Sequence, residues 1–225
     1  MTRKCNLLIS YVALVLIGLT FFEKALSYSR YSNHSIISIK DASRIQTGDL
    51  VFRRGRDIDS HVVLEADTAG QYSHVGLAWL QNGRVFILHA LPDENGTKNG
   101  VVVEPLEIFS LESKASGIGV YRIHASSETL NNIVMYALSF KGRPFDTSFD
   151  ISNQDRFYCT ELVWFAYQHF GLQIIKSFDY MGLPMKPGSY ILPGTIQTGR
   201  GISVIFQTHT LQQCANFWCS VINIS

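Results

Sequence analysis

The sequence predicts an α+β fold: strands in the first half of the domain, two helices in the second, and no strand–helix alternation between them. Three observations carry this. His74 to Leu80 and Val85 to Ala90 flank Asn82-Gly83, the dipeptide best suited to a two-residue hairpin turn. Leu130 to Phe140 has apolar residues at helical spacing and is followed by Gly142. A second helix is expected from about Tyr158 to Phe170, with Gly171 as its stop.

The chain's 225 residues suffice for one core, and a hydrophobic fraction of 46% with 16% charged residues excludes a disordered polymer. A formal net charge of +1 gives no ground for a nucleic-acid surface, so no nucleic-acid partner is expected. Arg3 and Lys4 precede an apolar run from Leu7 to Phe22, and Ala25-Leu26-Ser27 then offers small residues where a signal peptidase reads. As a helix that run spans about 24 Å, short of a hydrocarbon core of about 30 Å. Residues 1–27 are therefore expected to be a cleaved signal peptide or, alternatively, an N-terminal membrane anchor. The remainder would be exported to the periplasmic or extracytoplasmic side, with membrane association through that segment.

Residues 28–225 form the expected single domain. Residues 28–44 read as a lead-in and Gly48 to Phe52 as a turn entering a strand. The Arg53-Arg54-Gly55-Arg56 cluster reads as a solvated loop or strand edge or, as the alternative, as a group that greets an anionic substrate. Val101 to Glu104, Gly119 to Ile123 and Ile202 to Phe206 are further strand candidates. The Gly- and Pro-rich stretch after Lys176 is expected to wrap the surface. Of the four cysteines, Cys5 leaves with the signal peptide or sits at the membrane, and Cys214 and Cys219 could pair in an oxidising compartment, which leaves Cys159 as the odd thiol.

The hairpin fixes a register. With Asn82-Gly83 central, Gln81 faces Arg84, Trp79 faces Phe86 and His89 faces Gly76. His74, Gly76 and His89 then share one face, and Val75, Leu77, Trp79, Phe86 and Leu88 share the other. His74 and His89 become diagonal neighbours roughly 7–8 Å apart at the backbone, with Gly76 leaving room between them.

Cys159 stands where a polar loop turns into an apolar helix, a setting that lowers a thiol's pKa below about 8.5 and makes a nucleophile. The expected roles are Cys159 as nucleophile, His74 as general base and later acid, and His89 as the group orienting that imidazole, with Glu104 in reserve. A zinc ion held by one Cys and two His is the competing chemistry, but no short-spaced ligand pair supports it, and neither metal nor cofactor is expected.

These residues also carry a family likeness. Gly48-Asp49-Leu50-Val51-Phe52, Ser73-His74-Val75-Gly76-Leu77, Asn82-Gly83-Arg84 and His89-Ala90 resemble the core hairpin of NlpC-type cell-wall peptidases, which are papain-like. There the cysteine precedes the hairpin; here it follows. Pro144-Phe145-Asp146, with Phe149, Asp155 and Tyr158-Cys159-Thr160-Glu161-Leu162-Val163, resembles the circularly permuted branch, the YiiX/YaeF-like amidases. The resemblance covers about residues 45 to 195. It implies a circularly permuted papain-like fold and a Cys–His–polar triad on Cys159, His74 and His89. The permuted branch often has glutamate in the third place, and Phe145 stands where relatives frequently have tyrosine. The expected function is cysteine peptidase or amidohydrolase action on cell-wall (peptidoglycan) peptides through an acyl-enzyme. A lipid amidase or acyltransferase is the alternative, and an inactive binding module the reading from another class.

Overall fold

The computed structural model describes residues 34–92, 100–181 and 188–209. The segment 1–27, Cys5 and the Cys214–Cys219 pairing lie outside the described residues. Among the described residues no helix is long and apolar enough to cross a membrane.

The centre of the fold is a six-stranded, wholly antiparallel sheet. Its strands are β1 (Leu50–Gly55), β2 (His74–Gln81), β3 (Arg84–Leu91), β4 (Gly100–Pro105), β5 (Ala115–Ile123) and β8 (Ile202–His209), in the spatial order β4-β3-β2-β1-β5-β8. The β2–β3 hairpin pairs Gln81 with Arg84 and Trp79 with Phe86, as its turn predicts. Asn82 at φ 50° and Gly83 at φ 75° supply the two left-handed residues that such a turn needs.

Helices α4 (Ser127–Leu138) and α5 (Cys159–His169) cover one face of the sheet. Ser126 caps α4 by accepting the Thr129 N–H at 3.1 Å, and the stripe Leu130, Ile133, Val134 and Ala137 is buried, the spacing of a single helix face. From α5, Leu162, Val163, Ala166 and Tyr167 meet Val75, Leu77 and Leu88 of the sheet. The opposite face packs Val51, Ala78, Ile87, Ile118 and Val120 under α3 (Leu106–Phe109) and the lead-in residues Ile37 and Ile45. The lead-in holds a short helix, α1 (Ile39–Ala42), capped by Ser38.

Two features differ from expectation. Arg53 and Arg54 are not solvated loop residues but lie in β1, between β2 and β5, and Arg53 is only 8% exposed. Strand alternation carries Arg53 onto the same face as Val51, where Phe109 takes its charge: the guanidinium carbon lies 4.8 Å from the ring centre, and Nη1 donates to the Phe109 carbonyl at 3.4 Å. Between β1 and β2 runs a helix the sequence pattern does not announce, α2 (Ile58–Ala66). Ser60 is its one buried residue, and its start is set by Asp57, which accepts from Ser60 N and Ser60 Oγ. After α5, the Gly- and Pro-rich stretch holds a small ribbon of β6 (Asp179–Met181) and β7 (Gly188–Tyr190), then helix α6 (Pro193–Gln197).

Candidate active site

The site is a row of polar side chains crossing four strands, whose Arg53 and His74 end lines a cavity together with Cys159 at the start of α5. Arg53 on β1 pairs directly with His74 on β2. His74 Nε2 lies 2.8 Å from His89 Nδ1 on β3, and His89 Nε2 lies 3.3 Å from Glu104 Oε1 on β4. The β3–β4 register sets Ile87 opposite Glu104 and Val102 opposite His89, so Glu104 is the diagonal neighbour of His89 as His89 is of His74. The row therefore steps diagonally across the sheet. Gly76 sits in its crook: a Cβ there would come within 2.6 Å of Ile87 Cγ2 and 3.0 Å of His89 Cβ. Lys114 Nζ reaches Glu104 Oε2 at 3.5 Å. Phe109 covers the row, with ring centres 5.8 Å from His74 and 5.2 Å from His89.

Charge along the row is set by burial and by these neighbours. Burial and the Arg53 and His89 charges push His74 well below the usual imidazole range. Burial also lowers His89, against the raising effect of Glu104. Burial raises the Glu104 carboxyl, but contact with His89 and the charges of Lys114 and Arg53 outweigh it, and the group falls to about 2. An ionised Glu104 fixes the tautomers. With the His89 proton on Nε2, toward Glu104, its Nδ1 would accept from His74 Nε2–H and leave a lone pair on His74 Nδ1. A base is thereby presented at the far end of the row.

Cys159 is the first residue of α5, half-buried, and lines one cavity of ≈ 400 Å³ together with Arg53, Ser73 and His74. Burial pushes its thiol up, outweighing the backbone N–H groups of Val75, Thr160 and Cys159 and the charge of Arg53, all of which favour the thiolate. The expectation of a lowered thiol pKa is thus reversed. The helix start and the Val75 N–H do stabilise the sulfur, but the packing around it costs more. Both directions, up for Cys159 and down for His74, favour the uncharged forms, a thiol and an imidazole, in the cavity the two residues line.

Hydrogen bonds tie the start of α5 to its surroundings. Thr160 Oγ1 donates to the Ile191 carbonyl at 2.6 Å, and the Ile191 N–H donates to Tyr158 Oη at 3.2 Å. Glu161 accepts the Tyr158 N–H at 3.3 Å and is 1% exposed. Burial, followed by the Asp146 and Asp150 charges, raises its carboxyl to about 8 against the lowering effect of that N–H. Asp146, itself buried, holds the preceding turn by accepting from Ser148 N at 2.9 Å and Asp150 N at 2.6 Å. That turn sets Phe149 at φ 53°, a strained backbone for a bulky residue, and Phe149 forms a cavity wall against Tyr158. Val62, Val63 and Ala66 of α2 complete a largely apolar lining.

Of the three expected site residues, His74 and Cys159 line one cavity and His89 lies behind His74, with the reserve, Glu104, next along the row. Sequence reasoning gave the Arg53 cluster an anionic substrate only as an alternative, without its place beside His74, and missed Phe109. Extending the alternation of Leu50-Val51-Phe52 by one residue pair would have put Arg53 beside His74; nothing local marks Phe109.

A model of the permuted papain-like amidase enzymes, the YaeF/YiiX or C92 family, matches residues 44–184. The uncharacterized protein YiiX of Escherichia coli strain K12 is 30% identical over 142 residues, which span 60% of this chain and 66% of that protein. The crystal structure described as metalloprotein yiiX of Escherichia coli O157:H7 superposes with a TM-score of 0.63 at 22% identity, covering 74% of this chain and 99% of that one. That likeness speaks for the fold. With the family model matching well over half of the chain, and the histidine hairpin preceding the cysteine helix, the chain belongs to the permuted papain-like amidase family.

Proposed function

We propose that this chain is a thiol amidase in which Cys159 is the nucleophile, His74 the general base and acid, and His89 with Glu104 the relay holding His74 in the reactive tautomer. The observation that carries the reading is the row from Glu104 to His89, an ion-pair contact at 3.3 Å, and from His89 to His74 Nε2 at 2.8 Å, with His74 lining the cavity that Cys159 also lines. The Cys159 S–H proton passes to His74 Nδ1 as sulfur attacks the amide carbonyl. The N–H groups at the start of α5 face the developing oxyanion. The C–N bond breaks with the proton returned from His74 to the leaving amine, giving a thioester on Cys159. A water molecule, deprotonated by His74, then releases the carboxylic acid.

A neutral resting pair suits this order: the proton moves during attack rather than before it. The apolar walls of Val62, Val63 and Phe149 support an amide with an apolar acyl portion, the lipid-amide alternative, more than a polar wall peptide. Export of the domain remains our proposal on the strength of Arg3, Lys4 and the apolar run that follows. N-terminal sequencing from the native host checks it, since a first residue near Tyr28 means cleavage and a retained Met1 an anchor.

The solved relative is described as a metalloprotein, but the residues here do not suit a metal. Among the described residues no group of three or more His, Cys, Asp or Glu is arranged to hold one. His74 and His89 turn one ring nitrogen each toward the other, so they do not converge on a common ion.

The test is acylation by p-nitrophenyl laurate, read by mass on the peptide containing Cys159. Wild type should show an adduct that turns over, and His74→Ala should form it far more slowly. Failure of wild type to acylate Cys159 would overturn the reading and favour an inactive binding module.

A further inference from the structure

We propose that Arg53 is a specificity-determining residue that binds a carboxylate on the leaving-amine side of the scissile amide, so that the site takes N-acylated amino acids with a free α-carboxylate. This rests on the thiol-amidase reading of the same site. Arg53 lines the cavity with His74 and Cys159 with only 8% of it exposed; its guanidinium already meets the ring and carbonyl of Phe109, and a carboxylate in the cavity would share it with them. It pairs directly with His74, so its backbone lies roughly 5 Å from that of the base. His74 is the group that protonates the departing amine. A guanidinium beside His74 therefore adjoins the amine half of the substrate, while the apolar walls receive the acyl half. An α-carboxylate is one carbon removed from that nitrogen, and a guanidinium grips it in a planar, two-point contact.

The cavity also carries two carboxylates, Asp57 and Asp59. Both oxygens of Asp57 are committed to Ser60, and Asp59 is exposed on α2. Neither is paired across the sheet with the base, as Arg53 is. The Arg53 charge weakens His74 as a base, and a bound carboxylate would offset that charge at the moment the base is needed. The preference should accordingly appear in kcat as well as in KM.

The experiment compares N-lauroyl-alanine with N-lauroyl-alanine amide, which differ only in carboxylate against carboxamide. Acetyl-trialanine as acid and as amide forms a parallel arm separating a peptide terminus from a fatty acyl source. Wild type should prefer the acid over the amide by roughly 10–100-fold in kcat/KM, the span of one charge-assisted contact. Arg53→Gln should bring the ratio to about one, and Arg53→Lys should retain part of it. Because a ratio within one preparation cancels any loss of folded enzyme, a poorly folding variant still gives an answer. A wild-type ratio near one, or a ratio unchanged in Arg53→Gln, overturns the proposal. If p-nitrophenyl laurate acylates Cys159 but neither acid is cleaved, the carboxylate proposal fails and the thiol reading stands; if Cys159 is not acylated at all, both fail.

Discussion

The sheet row and the start of α5 bury acids to similar depth and obtain opposite results. Glu104 is 3% exposed, and contact with His89, Lys114 and Arg53 brings it to about 2. Glu161 is 1% exposed, has only the Tyr158 N–H to favour its charge, faces Asp146 and Asp150, and rises to about 8. Burial pushes both carboxyls upward. What differs is the company: cations and an imidazole in the row, other acids at the helix start. One region is built to keep a charge inside the protein, the other to keep a proton there.

The largest effect should come from separating the regions chemically. Cys159→Ala should abolish amide turnover, by at least about 10⁴-fold, with the fold retained, because a thiol-to-methyl change at a half-buried site removes little packing. His74→Ala should approach the same loss. Cleavage rates with melting curves on the same samples check both, and full activity in Cys159→Ala would end the comparison.

A smaller loss should follow from breaking the row beyond the base. Glu104→Gln removes the charge that fixes both tautomers, and His89→Gln removes the link; each should cost on the order of 10–100-fold in kcat with KM little changed. If Glu104→Gln left kcat intact, the row would end at His89.

Alkylation by iodoacetamide checks the resting state. Since burial raises the Cys159 thiol, its reaction should be slow at pH 7 and still be climbing at pH 9. A plateau reached below pH 7 would mean a resting thiolate–imidazolium pair instead.

The smallest effect concerns stability at the helix start. Glu161 holds its proton in the folded state up to about 8 but loses it near 4.5 when unfolded. The unfolded chain is thus favoured increasingly as pH rises between those values. Glu161→Gln keeps an acceptor for the Tyr158 N–H and removes that dependence. Its melting temperature should exceed the wild type's by a margin that grows from pH 5 to pH 8.5. For Glu104 the sign is opposite: its contribution is complete above 4.5 and is lost as pH falls toward 2.

Much of the sheet was legible because short-range rules decide it. Asn82-Gly83 dictated the hairpin, alternation then aligned His74 with His89, and helical spacing located α4 and α5 to within three residues at each end. What stayed hidden depends on distant partners. Arg53 reads as solvated until Phe109, 56 residues later in the chain, is folded over it. Glu104 could be only a reserve, because the register of β4 against β3 is set by a connection longer than a turn. The thiol's raised pKa is likewise a property of packing around Cys159, which the helix-start position does not disclose.

The phenyl ring of Phe109, carried on a helix of only four residues, has a consequence for how fast protons move. It roofs two imidazoles that are 8% and 0% exposed, so the ring N–H protons of His74 and His89 have almost no route to bulk water except at the cavity mouth. Such protons exchange only when the roof opens. They should therefore persist as separate downfield signals in a nitrogen-15 correlation spectrum, where exposed histidine N–H signals vanish. Phe109→Ala should erase them while leaving the backbone spectrum of the sheet in place.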